Sequence, residues 1–427
     1  MIAVQRLASR VVAEVLAGAS LAASLPRALR DASSLAASER AALQDLCYGT
    51  LRHLGRINFH LDALLARPLP DAGLRALLVV ALYQLAHTRA APYAVVDQAV
   101  EAAVSLGFAR ARGLVNAILR NFLRQRDALE ARADRDEVAR YSHPRWWIER
   151  IRAEYPQHWT QVLASANEHP PLTLRVNARR ATRDESAAEL AAAGLTARPS
   201  GPVALTLEVP LPVERIPGFA AGRVSVQDAG AQRAAALLGL AAGQRVLDAC
   251  AAPGGKAAHI LETADVELVA LDSDPARIDR IRQNFARLGL AGAVAQADAG
   301  RPGDWWDGRA FDRVLADVPC TASGVVRRHP DIRWLRRESD IARFAAQQSA
   351  LLDALWQVVA GGGKLLYATC SVFAEENGRQ VVRFLERHPD ARMRPLAELG
   401  GDAGAPAGQL LPDHQHDGFY YALLEKL

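Results

Sequence analysis

The sequence lacks the features that mark several classes of protein. Its 427 residues include only four cysteines, and no two of these form a CxxC pair, so neither a disulfide framework nor a zinc site is expected. The longest apolar stretches, such as residues 234–240, are far shorter than the about 20 residues of a membrane span. The N-terminus mixes charged and apolar residues at helical spacing, unlike a signal peptide. We therefore expect a monomeric protein of the reducing cytoplasm, without metal or membrane contact.

Lysine is also scarce. Only Lys256, Lys364 and Lys426 are lysines among 51 basic residues, and a GC-rich genome is the simplest reason for the excess of arginine. The charge is uneven, because residues 1–225 hold 28 basic and 21 acidic residues, whereas residues 226–427 hold 23 and 26. A basic first half favours a polyanionic partner. At about 150 residues per domain, the length predicts two or three domains.

Helical periodicity dominates the first 130 or so residues, with apolar residues at i, i+3, i+4 and i+7. The predicted helices include Ala41–Leu54, Leu74–His87, Ala94–Leu106 and Gly113–Arg126. The last of these lies in a stretch of 20 residues with five arginines and no acid. As a helix it would direct Val115, Ile118, Leu119 and Phe122 inward and its arginines outward. This basic face is either simply solvated or contacts RNA, and Arg120 and Arg124 are the candidate contacts.

The rest of the chain divides into two regions. Residues 131–225 combine a helix near Trp146–Tyr155 with short strands such as Leu172–Val176, which predicts a small α+β connector. Its loops are marked by Pro199, Pro202, Pro210, Pro212 and Pro217. From about residue 226, strands alternate with helices, as in a doubly wound parallel sheet. The predicted strands are 245–250, 268–272, 293–298, 311–319, 362–370 and a terminal strand, 418–426. Ligands of such sheets bind beyond the carboxyl ends of the strands.

The first strand ends in DACAAPGGK, residues 248–256, where small residues and two glycines allow a ligand to approach the backbone before a helix begins. The spacing fits neither a Walker A loop nor GxGxxG. Asp272 ends the second strand and is placed to accept hydrogen bonds from ribose hydroxyls, while Asp298 ends the third and suits an adenine edge. This arrangement serves NAD and S-adenosylmethionine alike, and each carboxylate alone could instead cap a helix or brace a loop.

The fourth and fifth strands end in DVPC (317–320) and ATCS (368–371), which would bring Asp317, Cys320 and Cys370 together. Carbon 5 of a pyrimidine is a poor nucleophile, but a thiolate that adds to carbon 6 makes it reactive towards a methyl donor. A carboxylic acid at ring nitrogen 3 stabilises the adduct, and a second thiol or base assists its release. Both cysteines follow strand ends in polar loops, whereas Cys47 and Cys250 are more typical of inert buried cysteines. The spacing does not decide which cysteine attacks.

Four segments resemble the motifs of the bacterial ribosomal RNA cytosine-C5 methyltransferases of the Sun/RsmB type, which act on 16S RNA. They are DACAAPGGK, LDSDPARI, DVPCTASGVVRRHPDIRW and YATCS. Two N-terminal segments, PYAVVDQAVEAA and GLVNAILRNFLR, are similar to the NusB-like RNA-binding domain of that type, and PLTLRVN to its intermediate RNA-binding region. The loop after Cys320 begins Thr321-Ala322-Ser323 instead of the serine-led form that we expect.

The resemblance implies an all-α NusB-like RNA-binding domain (1–130), a small α+β connector with an RNA-binding role (131–225) and a Rossmann-like methyltransferase domain (226–427). It implies S-adenosylmethionine as cofactor and 16S ribosomal RNA as partner. Cys370 would be the nucleophile, Cys320 would aid product release and Asp317 would position the base. The donor site would comprise Cys250, Ala251, Ala252, Pro253, Gly254, Gly255, Lys256, Asp272, Asp298 and Asp317. Arg327 and Arg328, after Cys320, are further candidate RNA contacts.

Other functions remain open at this stage. An exocyclic-amine methyltransferase would require an (Asn/Asp)-Pro-Pro-aromatic loop after the fourth strand, where this chain has DVPC. A non-catalytic RNA-binding or antitermination protein would leave both cysteines without a role. Another RNA, or uracil in place of cytosine, is harder to exclude because the thiolate chemistry is shared; the resemblance favours cytosine.

Overall fold

The computed structural model describes residues 1–396 and 406–427 and divides the chain into two compact units. Unit 1 comprises residues 1–169 together with 326–338, and unit 2 comprises 170–325 together with 339–427. Residues 397–405, which belong to the predicted methyltransferase domain (226–427), lie outside the described part. No helix in the described ranges is both long and apolar enough to cross a membrane.

Unit 1 is helical, as the periodicity predicts. Its helices are α1 (Ile2–Leu16), α2 (Leu21–Asp31), α3 (Ala37–Arg52), α4 (Leu54–Leu64), α5 (Ala72–His87), α6 (Pro92–Ser105), α7 (Arg112–Ala133), α8 (Glu137–Tyr141), α9 (Arg145–Glu154), α10 (Trp159–Ser165) and the short α15 (Ile332–Leu335). Helix α5 is buried on every side from Ala76 to Leu85 and so forms the centre of the bundle. Asp71 caps this helix by accepting a 2.9 Å hydrogen bond from the amide of Leu74.

Helix α7 has the predicted inward and outward faces. Val115, Ile118, Leu119 and Phe122 are all at most 3% exposed and belong to the core of unit 1. The arginines of the same helix lie on its exposed side. The helix begins one residue before, and ends seven residues after, the predicted segment Gly113–Arg126.

A segment distant in sequence completes unit 1. Asp331 accepts a 2.9 Å hydrogen bond from the amide of Leu21, at the start of α2. Trp334 donates a 2.7 Å hydrogen bond from its indole nitrogen to the carbonyl of Leu51. Arg333 is fully buried, and burial, with the charge of Arg52, lowers the pKa of its guanidinium to about 9. The segment that follows the Cys320 loop is therefore built into the helical unit, which local sequence patterns did not predict.

Unit 2 contains two sheets. The smaller has the order β2-β3-β1-β4, is antiparallel throughout and includes the predicted strand Leu172–Val176. Its elements are β1 (Leu172–Val176), α11 (Arg183–Ala192), β2 (Ala197–Pro199), β3 (Ala204–Leu207) and β4 (Val224–Val226). Arg175 of β1 forms a buried ion pair with Glu262, with both nitrogen–oxygen distances at 2.8 Å. Removing one partner of such a pair leaves an uncompensated buried charge, at a cost of about 3–5 kcal/mol.

The larger sheet has the order β10-β12-β9-β8-β5-β6-β7, and β11 pairs with β12. Its strands are β5 (Arg245–Asp248), β6 (Glu267–Asp272), β7 (Ala293–Gln296), β8 (Phe311–Asp317), β9 (Val359–Thr369), β10 (Ala391–Arg394), β11 (Gln409–Leu410) and β12 (Phe419–Lys426). Strands β5 to β9 pair in parallel, whereas β12 is antiparallel to both of its main neighbours. The terminal strand therefore lies within the sheet, because β10, which the sequence did not reveal, pairs on its far side.

Helices cover both faces of this sheet. They are α12 (Ala229–Leu237), α13 (Gly255–Thr263), α14 (Pro275–Leu288), α16 (Ser339–Gln357) and α17 (Gly378–Arg387). One core joins Ile260 and Ile281 to Val246, and the other joins Leu352 and Phe384 to strand residues of the opposite face. Strands β5, β6, β8 and β9 are largely buried and rich in apolar residues, which is why the sequence identified them, whereas the edge strand β7 is mostly exposed. The predicted strand–helix alternation is confirmed.

Candidate active site

The two cysteines that follow β8 and β9 lie in contact. Asp317 and Ala368 are paired where these parallel strands end, and this register brings the Sγ atoms of Cys320 and Cys370 to 3.4 Å. Both thiols are free, and Cys320 is only 8% exposed. The hydrogen bond with Cys370, together with burial, raises the pKa of the Cys320 thiol well above its ordinary value. Cys320 is therefore held as a neutral thiol, which can donate a proton.

Lys256 and Asp317 form an ion pair beside the thiols. The distance from Lys256 Nζ to Asp317 Oδ2 is 2.6 Å, and the ammonium also lies 5.7 Å from the centre of the Phe419 ring. Burial lowers the pKa of Lys256, but Asp317, Cys370 and Asp248 more than offset this, so its pKa is raised overall. The sequence placed Lys256 in the donor loop but gave no sign of its pairing with Asp317, 61 residues away.

The segment from Cys250 to Lys256, called the donor loop here, follows β5 at the carboxyl edge of the sheet and includes the first two residues of α13. Gly254 has a φ of +95° and a virtual Cβ only 3.2 Å from the Cα of Ile281, so backbone conformation and close packing both favour glycine here. Ala251 and Ala252 are buried, and burial raises the pKa of the Cys250 thiol far above its ordinary value. A thiol with a raised pKa stays protonated, as expected of the inert cysteine that the sequence predicts at this position.

The two carboxylates expected at the donor differ in their surroundings. Asp272 is 3% exposed and accepts hydrogen bonds of 3.1 Å from the amides of Ala252 and Asp274. It thereby connects the end of β6 to the loop from Cys250 to Lys256. Asp298 lies two residues beyond β7, is exposed, and accepts a hydrogen bond from the amide of Gly300 at 2.9 Å. Asp272 is thus fixed by the fold, whereas Asp298 belongs to an exposed turn.

Asp248, the last residue of β5, was not among the predicted site residues. It is 1% exposed, and burial, reinforced by Asp317, raises the pKa of its carboxyl group to about 8 although Lys256 opposes the shift. A carboxyl group that is neutral near pH 7 can donate a hydrogen bond, as an ionised one cannot. Its position at a strand end, immediately before the glycine loop, is the one sequence signal that could have identified it.

The predicted RNA contacts lie in unit 1 and differ in accessibility. Arg120 and Arg124 are exposed on α7, where each donates a hydrogen bond to an asparagine of the same helix, Asn116 and Asn121 respectively. Arg328 is partly exposed, but Arg327 is only 1% exposed. A phosphate contact requires an accessible guanidinium, so burial of Arg327 favours a structural role for that side chain.

Comparison with known proteins finds relatives over almost the full length of the chain. The family described as "16S rRNA methyltransferase RsmB/F" matches residues 235–425, its ferredoxin-like domain matches residues 143–214, and the NusB family matches residues 3–124. "Ribosomal RNA small subunit methyltransferase B" of Vibrio cholerae serotype O1 is 46% identical over 415 residues, covering 96% of this chain and 94% of that protein. The protein of the same name from Citrobacter koseri is 42% identical over 427 residues, covering 98% of each.

The chain belongs to the RsmB/F methyltransferase family. Among solved structures, that of PH0851 has a TM-score of 0.81 and 26% identity, and covers 99% of both chains. The predicted fold class is confirmed for this family member: a NusB-like helical domain, a small connector domain and a Rossmann-like methyltransferase domain. The thiols of Cys320 and Cys370 thus lie at the carboxyl ends of parallel strands, where sheets of this kind bind their ligands.

Proposed function

We propose that this protein transfers a methyl group from S-adenosylmethionine to carbon 5 of a specific cytosine in small-subunit (16S) ribosomal RNA, through a covalent cysteine–cytosine adduct. The observation that carries the proposal is the contact of two thiols, 3.4 Å apart, beside the Lys256–Asp317 pair at the ends of adjacent parallel strands. Cysteines that serve only to fill a core need neither a second thiol in contact nor an ion pair beside them.

The residues divide the covalent chemistry between them. The Cys370 thiolate adds to carbon 6 of the cytosine, which makes carbon 5 nucleophilic, and carbon 5 then takes the methyl group. A base removes the carbon-5 proton, the carbon–sulfur bond breaks, and the ring and the Cys370 thiolate are regenerated. When nitrogen 3 of the ring is protonated in the adduct, the carboxylate of Asp317, beside the thiols, holds the base by accepting a hydrogen bond from that N–H. Cys320, as a neutral buried thiol in contact with Cys370, aids the release step.

The loop from Cys250 to Lys256 and the strand-end carboxylates fit the methyl donor. Bound there, S-adenosylmethionine would supply an electrophilic methyl group on a sulfonium centre. Asp272 already has its carboxylate fixed by two backbone amides, and each oxygen retains a lone pair for a ribose hydroxyl. Asp298 is exposed just beyond β7 and can reach the edge of the donor's adenine. At Gly255 a Cβ would meet only Gln227 Nε2, at 3.8 Å, so this glycine leaves the backbone open to close approach.

Recognition of RNA is assigned to the regions that match the NusB family and the ferredoxin-like domain. We keep residues 1–130, 131–225 and 226–427 as the proposed functional domains. Support for ribosomal RNA as the target comes from the relatives named small subunit methyltransferase B, which match nearly the full chain. The exposed Arg120 and Arg124 of α7 are the proposed phosphate contacts.

The proposal is tested with purified protein, small-subunit ribosomal RNA from a strain that lacks the gene, and a donor labelled on its methyl group. We expect label in the RNA, and nucleoside mass spectrometry should identify the product as 5-methylcytidine. Bisulfite sequencing then locates the nucleotide. Label in 5-methyluridine would shift the assignment to uracil, and label on an exocyclic amine, or no transfer to any RNA, would refute the thiolate chemistry proposed here.

A further inference from the structure

Glu376 is a buried carboxylate that the chemistry above does not use. It lies between β9 and α17 and is 0% exposed. Its Oε1 accepts hydrogen bonds from the amide of Thr321 at 2.8 Å and from Gln348 Nε2 at 3.1 Å. Its Oε2 accepts from Thr321 Oγ1 at 2.5 Å and from Ser371 Oγ at 2.6 Å. Four donors thus converge on one carboxylate.

The positions of these donors connect the two thiol loops. Thr321 directly follows Cys320, and Ser371 directly follows Cys370. One carboxylate therefore holds both residues that follow the cysteines, and Gln348 fixes it from helix α16. Burial raises the pKa of Glu376, while the hydrogen bonds from Ser371 and Thr321 oppose the shift. These donors offset much of the free-energy cost of burying a carboxylate. An apolar side chain would fill the same space without that cost, so the carboxylate is expected to have a role beyond packing.

The two loops depend on Glu376 to different extents. On the Cys370 side, the carbonyl of Ser371 also accepts a 2.9 Å hydrogen bond from Asn377 Nδ2, and Asn377 in turn accepts from Thr369 Oγ1 at 2.6 Å. On the Cys320 side, Gln348 also donates to the carbonyl of Pro319 at 3.0 Å. However, both the amide and the hydroxyl of Thr321 donate to Glu376, whereas only the hydroxyl of Ser371 does. Loss of the carboxylate should therefore displace Cys320 more than Cys370.

We infer that Glu376 is a positioning residue for adduct release: by holding Thr321, it keeps Cys320 in contact with the Cys370 sulfur. This inference rests on the proposed cysteine mechanism. Without the carboxylate, Cys370 still attacks and the methyl group is still transferred, but the thiol that aids release is out of place. The consequence is specific, since a general loss of structure would abolish the adduct.

The test compares Glu376→Ala and Glu376→Asp with Cys320→Ala in the presence of small-subunit RNA and donor. Asp keeps the charge but is one methylene shorter, so it cannot reach both loops. We expect both Glu376 variants to accumulate a protein–RNA adduct that survives denaturing gels, with kcat at least about tenfold lower and the donor KM changed by less than about twofold. The double variant Cys320→Ala/Glu376→Ala should accumulate no more adduct than Cys320→Ala alone, because both changes remove the same step.

Glu376→Gln is the conservative variant. Its carbonyl oxygen can still accept from the Thr321 amide and from Gln348, and its NH2 group can donate to the two hydroxyls, which also accept. It should turn over without accumulated adduct. Glu262→Ala is the matched control, since it removes another buried carboxylate of unit 2, the partner of Arg175, outside the thiol loops. It should lower the melting temperature without trapping RNA.

The outcomes separate this inference from the proposed function. If Cys320→Ala traps RNA but neither Glu376→Ala nor Glu376→Asp does, the inference is wrong while the mechanism stands. Trapping by Glu376→Gln as strong as by Glu376→Ala would equally overturn positioning through these hydrogen bonds. If the Ala variant does not fold, the Asp variant decides alone. If wild type yields no 5-methylcytidine and Cys320→Ala no adduct, the proposed function itself fails.

Discussion

At the scale of single residues, two buried aspartates at strand ends, Asp248 and Asp272, differ in the groups that surround their carboxylates. Asp248 and Asp272 each end a parallel strand, and both are buried. Asp272 accepts two backbone hydrogen bonds and lies 3.5 Å from the guanidinium of Arg277. Burial raises the pKa of Asp248 to about 8. The sequence reveals that both residues end strands but not how each carboxylate is solvated, because solvation depends on groups distant in the chain.

The pKa of Asp248 predicts a pH dependence of stability. In the unfolded chain this carboxyl group loses its proton near its ordinary pKa of 3.8, whereas in the folded protein it keeps the proton up to about pH 8. Between these values the folded state binds more protons, so this group lowers the free energy of unfolding as pH rises. Asp248→Asn removes that contribution. Relative to wild type, the variant should gain a few kcal/mol between pH 5 and pH 8 in urea unfolding of the donor-free protein.

Asp298→Asn serves as the comparison, because Asp298 also follows a parallel strand, two residues beyond β7, but its carboxylate is exposed. Its stability difference from wild type should not change over the same pH range. Parallel pH profiles for wild type and Asp248→Asn would show that Asp248 is ionised in the folded protein.

At the scale of elements, close backbone contacts hold the thiol loops together. The amide of Gly324 donates a 2.8 Å hydrogen bond to the carbonyl of Cys370, and the amide of Gly418 donates to the carbonyl of Gly324 at the same distance. A Cβ on Gly324 would lie 2.2 Å from the carbonyl oxygen of Gly418. The approach of these segments therefore requires glycine.

Gly324→Ala should accordingly separate the loops and lower kcat at least about tenfold, because misplacement of reacting groups by about 1 Å costs as much as a hundredfold in rate. Gly361→Ala is the matched control, since a Cβ there meets no atom within 4 Å. Methyl transfer at saturating donor and RNA measures the effect. Equal activity of the two variants would mean that the contact between the loops has no part in catalysis.

The basic face of α7 makes a separate prediction about RNA. Arg120→Gln/Arg124→Gln should weaken RNA binding and reduce the slope of log K against log salt by about one for each lost phosphate contact. Arg10→Gln/Arg30→Gln removes the same charge from exposed positions on α1 and α2. Its slope should stay close to that of wild type. If both pairs change the slope equally, only the net charge of the protein matters and α7 makes no specific contact.

At the scale of the whole molecule, both compact units are built from two stretches of chain. Strands β5, β6, β8 and β9 could be predicted because burial makes them mostly apolar, whereas the exposed strand β7 could be predicted from its place in the strand–helix alternation. Strand β10, with the sequence ARMR, could not, since three of its four residues are exposed and two are arginines. The placement of residues 326–338 in unit 1 likewise depends on contacts with α2 and α3 about 300 residues earlier, which no local pattern records.

The part played by this segment can be measured in the intact chain. Trp334→Ala removes a side chain that packs against the core of unit 1 and donates to the carbonyl of Leu51. It should destabilise unit 1 by about 2–4 kcal/mol. Faster amide hydrogen exchange in α2 and α3 would report this effect. Trp306→Ala, a partly exposed tryptophan of unit 2, should leave exchange in those helices unchanged. Equal protection in both variants would show that the segment adds nothing to unit 1.

The central claim is the division of labour between two thiols in contact, and covalent trapping tests it most directly. Labelled small-subunit RNA is incubated with donor and with wild type, Cys370→Ala or Cys320→Ala, then resolved on a denaturing gel. Without the nucleophile no bond forms, so Cys370→Ala should show neither adduct nor methylation. Without the releasing thiol the bond forms but persists, so Cys320→Ala should shift the RNA to the mass of a protein conjugate. The opposite pattern would exchange the two roles, and full methylation by both variants would contradict the thiolate mechanism.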